Sequence, residues 1–228
     1  MPHLPGDPPI EITLRRSAQT RRFSLRVSRM DGRVTLTLPS RAREGEAMAF
    51  AATQEAWLRR ALAGLPAVAG VTLGTEVPVE GRMLRVTAGA GRVVRIEGDA
   101  LLVPGDAAQA GRRVQAFLKA LARTRLAAAS DRYAALVGRS FVAMSLRDPR
   151  SRWGSCTADG ALMYSWRLVM APPDVLDYVA AHEVAHLVEM NHSPAFWAVV
   201  ARLRPDWQRQ RDWLRTRGGD LQGYRFGD

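Results

Sequence analysis

The sequence is short of several residue types, and each shortage narrows the function classes open to it. It has one cysteine, Cys156, in 228 residues. A single thiol allows no intrachain disulfide and favours a reducing compartment. It has one lysine, Lys119, so nearly all of its positive charge is arginine. The N-terminus, MPHLPGDPPIEI, has no basic segment leading into an apolar run, so no signal peptide is expected. The longest mainly apolar stretch, residues 61–73, is interrupted by glycine and proline and is too short to cross a bilayer. The expectation is a soluble, cytoplasmic protein with no membrane partner. There is no Walker-type glycine loop and no internal repeat. Composition says nothing about oligomeric state.

What is present is a hydrophobic content of 47%, enough for one sizeable core or two small ones. The formal net charge is +11. Such an excess fits nucleic acid or nucleotide phosphates as partners, through an arginine-rich surface. It equally fits arginines on solvated faces. Arg15, Arg16, Arg21 and Arg22 flank the first strand and are the candidates to track phosphates.

Residues 1–9 read as a flexible, proline-containing tail. Phe23, Leu25 and Val27 alternate with polar residues, as do Val34, Leu36 and Leu38 beyond Asp31-Gly32, which is a β-hairpin signal. A helix over 44–63 is expected, with Phe50, Trp57, Leu58, Ala61 and Leu62 on one face. Short strand-like runs follow at 77–79, 83–86, 93–96 and 101–103. Pro104-Gly105-Asp106 reads as a boundary, closing a β-rich N-terminal region, 10–105, that carries one helix. Beyond it a long helix is expected over 108–137, then a strand carrying Val142, Met144 and Leu146. An arginine-rich loop leads to a second strand over 162–169 and a helix N-capped by Asp174. The fold class is α+β.

Histidine is scarce as well. Of four in the chain, three fall within the eleven residues HEVAHLVEMNH. On a helix, His182 and His186 lie one turn apart on the same face and can grip one metal ion. Glu183 sits about 100° around the helix from His182, where it reaches a metal-bound water without binding the metal. It is the candidate general base, and the metal it would serve is Zn²⁺, which histidine-rich tetrahedral sites favour over manganese or cobalt. A catalytic zinc usually takes three protein ligands, and His192 is the candidate third. In a continuous helix it would point about 240° away from His186. A helix break is therefore expected, for which Asn191 tolerates the left-handed conformation and Ser193-Pro194 suits the N-cap and first position of a new helix. No glutamate follows Glu189, so the rival third ligands are Asp206 and Asp212, each of which also reads as a cap or solvated residue. Arg152, Tyr164 and Tyr178 are candidate donors near the cleft, and each equally reads as surface or core packing.

Three stretches, SRWGSC at 151–156, residues 161–181 and HEVAHLVEMNHSPAFW at 182–197, make the chain resemble the YgjP-like metallopeptidases, relatives of the SprT-like and WLM zinc peptidases. The two-strand and Trp57 region extends the resemblance over most of the chain. It implies a zincin-like catalytic core, expected over 106–228, with His182, His186 and His192 as metal ligands and Glu183 as base. Glu189 stands where the metzincin pattern has glycine, so that membership is not implied. Ser165 stands where the family often has asparagine. Cys156 falls inside a family motif, as a structural residue or as a thiol near the metal.

The expected function is peptide-bond hydrolysis by a metal-activated water, on a peptide or protein substrate paired with the strand over 162–168. Two alternatives stay open. One is phosphoanhydride hydrolysis of a nucleotide recognised by Arg150 and Arg152. The other is a DNA-associated protease of the SprT-like type.

Overall fold

The computed structural model describes residues 2–28, 32–64 and 69–227. The chain forms two compact units, Met1–Ala67 and Val68–Asp228. Among the described residues no helix is long and apolar enough to cross a membrane.

The first unit holds strands β1 (His3–Leu4), β2 (Ile10–Ser17), β3 (Ser24–Val27) and β4 (Val34–Pro39), then helices α1 (Glu44–Thr53) and α2 (Glu55–Ala63). Its sheet has the order β1-β2-β4-β3. Alternation along β4 buries Val34, Leu36 and Leu38, which meet Ile10 and Ile12 of β2 and Ala47, Ala51 and Leu58 of the helices in one small core. The hairpin expected across Asp31-Gly32 appears as the antiparallel β3–β4 pair, although Asp31 itself lies outside the described residues. Residues 3–4, inside the stretch expected to be a tail, pair with β2, and Leu4 is buried. The helix expected over 44–63 is two helices. Thr53 Oγ1 donates to the Phe50 carbonyl at 2.7 Å, an i−3 bond that competes with the helical ladder, and Gln54 leaves helical geometry at φ −102°, ψ 8°. The break turns Trp57 outward, where it is exposed, and leaves Leu58 as the buried anchor of α2.

The second unit opens with β5 (Ala69–Gly70), β6 (Glu76–Val79), β7 (Arg82–Gly89), β8 (Arg95–Glu97) and β9 (Ala100–Pro104). These lead into α3 (Ala110–Val137), which ends at left-handed Gly138, φ 63°. Then come β10 (Ala143–Arg147), β11 (Gly154–Cys156), β12 (Ala161–Ser165), a 3₁₀ segment Trp166–Met170, α4 (Pro173–Ala185), α5 (Pro194–Leu203), α6 (Trp207–Arg217) and β13 (Tyr224–Arg225). The units divide at 67/68 instead of at Pro104-Gly105-Asp106. The reason is packing: Val77, Val79, Leu84, Val86, Leu101 and Val103 bury against Val114 and Leu118 of α3 in the same core as α4.

The second strand ends at Ser165 instead of running to 169, because Trp166–Met170 tightens into a fully buried 3₁₀ segment. The N-cap of α4 is Pro172, with Pro173 in the first turn, so Asp174 lies inside the helix near its positive end. Asp177 of α4 accepts from Tyr133 and Arg132 of α3 and pairs with Arg204 Nη1 at 2.6 Å, which locks α4 to α3 and to the end of α5. Buried Arg167 is bidentate to Asp148, with Nε–Oδ1 at 2.7 Å and Nη2–Oδ2 at 3.1 Å, and donates to the Leu221 carbonyl at 2.8 Å.

Candidate metal centre

Helix α4 buries Val175, Val179, Ala180, Val184 and Ala185 and carries His182, Glu183 and His186 at its C-terminal end. Its last turn tightens: His186, Leu187 and Val188 donate to the carbonyls of Glu183, Val184 and Ala185. His186 stays in the right-handed region, φ −67°, ψ −18°, so it remains one turn from His182. Asn191, which tolerates a left-handed conformation, does not adopt one. Among the described residues Glu80 is the only non-glycine with positive φ, and the chain reverses through these i−3 bonds and a Ser193 N–H to Asn191 carbonyl bond of 2.7 Å. Ser193 then N-caps α5, its Oγ accepting from Phe196 N–H at 3.3 Å, with Pro194 in the first turn, as the spacing predicts.

The reversal brings the three histidines together. One donor atom from each of His182, His186 and His192 lies within 4.8 Å of the others. His182 Nε2 and His192 Nε2 are 3.1 Å apart. Two nitrogens on one tetrahedral zinc, at Zn–N of about 2.0–2.1 Å, would stand roughly 3.3 Å apart, so the spacing fits a shared ion. His186 Nδ1 lies 3.1 Å from the Glu189 carbonyl, which fixes its proton there and leaves Nε2 for a metal. Among the described residues the buried Nδ1 of His182 has no hydrogen-bond partner; the rings of Tyr178, Phe196 and Trp197 hold it at 5.9, 4.9 and 5.7 Å. Phe196 also stacks on His186 at 4.4 Å and backs all three imidazoles. Burial, with the neighbouring histidines and Arg211, pushes His182 down to about 3, and burial also lowers His186. Both rings are therefore neutral at pH 7, the form that ligates metal. The donor set, its spacing and the neutral state of His182 and His186 fit a divalent ion.

Glu183 is 6% exposed, and burial pushes its carboxyl up to about 8 against the opposing charge of Arg152. Strand β11 passes close to it: a Cβ at position 154 would lie 2.5 Å from Glu183 Oε1. Gly154 is thus the residue of SRWGSC that admits the carboxylate, a role the motif gave no sign of. Cys156, two residues on, is half-buried and pushed up to about 11 by burial, Glu183 and Asp159, so its thiol stays protonated.

The remaining candidates separate. Tyr178 borders His182, and burial pushes its hydroxyl up to about 12, so it remains a proton donor. Arg152 is exposed and acts electrostatically on Glu183. Tyr164 is fully buried with its hydroxyl 3.0 Å from Ser130 Oγ, which makes it a core residue. Ser165 is likewise fully buried. Asp206 and Asp212 pair with Arg204 and Arg215 and are not in the cluster. Arg150 is exposed. Of the arginines around the first strand, Arg15, Arg21 and Arg22 are exposed, while Arg16 donates to the Ser40 and Ala42 carbonyls at 3.0 and 2.8 Å.

The strand expected to pair with substrate has no edge to offer. Sheet order is β10-β12-β11, so β12 is filled on both sides. The open edge beside Glu183 belongs to β11, whose Gly154 touches that carboxylate.

No curated protein matches the chain. Among solved structures, the metallopeptidase zymogen abylysin of Pyrococcus abyssi is similar at 18% identity, covering 40% of this chain and 92% of that one with a TM-score of 0.37. So partial a likeness carries no argument about this chain. A family model described as YgjP-like, metallopeptidase domain, matches residues 21–217. With the match spanning most of the sequence, the chain belongs to the YgjP-like metallopeptidase family.

Proposed function

We propose that the chain is a zinc-dependent peptidase with a zincin-like core within residues 106–228, in which His182, His186 and His192 hold the metal and Glu183 is the general base. The observation that carries this reading is the clustering of three imidazoles, two of them held neutral by burial, with a buried carboxyl on the same helix that forms no ion pair among the described residues. An all-nitrogen set of three suits zinc and leaves a tetrahedral position open. Bound there, zinc supplies a Lewis acid that polarises the scissile carbonyl and acidifies water. With a cation held by the three histidines, Glu183 would be drawn back toward the carboxylate form that a base needs. Glu183 takes the proton from the water as the water oxygen adds to the carbonyl carbon. As the C–N bond breaks, the same carboxyl passes that proton to the leaving nitrogen and is a carboxylate again. An extended peptide adds to the open edge of β11, which aligns its backbone with Glu183.

Metal analysis is expected to find one zinc per chain in wild type and in Glu183→Gln, and a sharp loss in His192→Ala. Wild type should cleave members of a proteome-derived peptide library, and Glu183→Gln should not. The absence of any cleavage, or pyrophosphate release from a nucleotide panel in its place, would count decisively against peptidase action.

A further inference from the structure

Beside the histidine cluster stands a feature that the chemistry above leaves unused. Trp197 of α5 and Trp207 of α6 stack at 4.4 Å with 23° between their planes. Trp197 lies 5.7 Å from the ring of His182 and 5.8 Å from that of His192. The guanidinium of Arg211 rests over both indoles, its Cζ 5.1 Å from Trp197 and 5.8 Å from Trp207. Cation–π contact with two rings fixes its position while its N–H fork stays available.

Arg211 is exposed and forms no ion pair among the described residues. The acidic side chains on either side of it in sequence are engaged elsewhere. Asp206 is taken by Arg204 and Gln210, and Asp212 by Arg215. Other arginines of this unit, such as Arg125, Arg132 and Arg204, are matched to carboxylates. The charge of Arg211 is also felt at His182 and Tyr178, so it stands within electrostatic range of the metal ligands.

We infer that Arg211, presented on the Trp197–Trp207 shelf, is a subsite for a substrate carboxylate close to the scissile bond. The inference rests on the peptidase reading and names a substrate class for it: peptides with an acidic side chain, or a free C-terminus, within a few residues of the cleaved bond. An extended peptide advances about 3.3–3.6 Å per residue, so a carboxylate two or three residues from the metal reaches the shelf. The fork of Arg211 would take it in a bidentate, charge-assisted pair. The indoles would pack against the aliphatic part of the same residue.

The test uses the zinc-loaded full chain and three-residue peptide hydroxamates, in which the hydroxamate anchors the probe on the metal. Probes carry the hydroxamate at either end, with Glu or Gln at the other positions. Those with an N-terminal hydroxamate end in a carboxylate or an amide. Calorimetry should show a carboxylate probe binding wild type about tenfold more tightly than its amide twin. That preference should vanish in Arg211→Gln and survive in part in Arg211→Lys, while the all-amide probe binds all three proteins alike. The Glu and C-terminal arms decide which source of carboxylate is read. Equal binding of the twins by wild type, or a preference that persists in Arg211→Gln, overturns the inference while leaving the peptidase reading in place. Failure of every hydroxamate to bind overturns both.

Discussion

Glu183 and Gly154 lie 29 positions apart in the sequence, yet one makes room for the other. A methyl group at position 154 would press on Glu183 Oε1 from 2.5 Å and force the carboxylate aside. A shift of about 1 Å in a reacting group typically costs on the order of a hundredfold in rate. Gly154→Ala is therefore expected to lower kcat by about that factor while zinc content stays at the wild-type value. A variant with unchanged kcat would remove Gly154 from any such role. Burial also couples Glu183 to stability. Its folded value, about 8, lies above its ordinary value of 4.5, so its contribution is fully present below about 4.5 and is lost as pH rises toward 8. In metal-free protein, wild type should thus lose stability relative to Glu183→Gln across that window, by a few kcal/mol at about 1.4 kcal/mol per pKa unit. The low value of His182 is common to both proteins and drops out of the difference. Urea melts of the two chelated proteins at pH 4.5 and pH 8 check this, and a constant gap between them would contradict it.

The join between α4 and α5 decides whether a third histidine reaches the first two. The string HEVAHLVEMNHSP contains its parts, and the sequence locates the second helix through Ser193 and Pro194. The end of the first helix is not encoded by any one of these residues. Its termination comes from i−3 bonding after Glu183 and not from a left-handed asparagine, a choice between backbone geometries that Asn191 leaves open. Ser193→Ala removes the side chain that satisfies Phe196 N–H and should cost about 1 kcal/mol of stability. Because the ring of Phe196 backs all three histidines, zinc affinity should fall with it. Chelator competition measures that change, and unaltered zinc affinity would detach the cap from the site. The helix expected over 44–63 teaches the same lesson, since its apolar spacing was legible but the break at Thr53-Gln54 was set by one hydroxyl.

At the scale of the molecule, the two hydrophobic cores share no residue, and the whole histidine cluster lies in the second unit. A fragment spanning residues 69–228 is therefore expected to unfold cooperatively by circular dichroism and to bind zinc as the full chain does. A fragment with no cooperative transition would show that the second core needs the first unit. The sequence by itself determined which three histidines the structure brings within 4.8 Å, because two side chains one turn apart and a third after a short reversal are local relations that spacing encodes. It also located the hairpin of the first unit and the long helix of the second, where alternation and periodicity run unbroken. Only the tertiary structure decided that β5 to β9 pack with the second unit, that β12 is central and β11 carries the open edge, that Gly154 faces Glu183 and that Arg211 rests on Trp197. Each of those facts joins residues from separate elements. Their proximity depends on how several helices and strands bury one another, which no local pattern of side chains records.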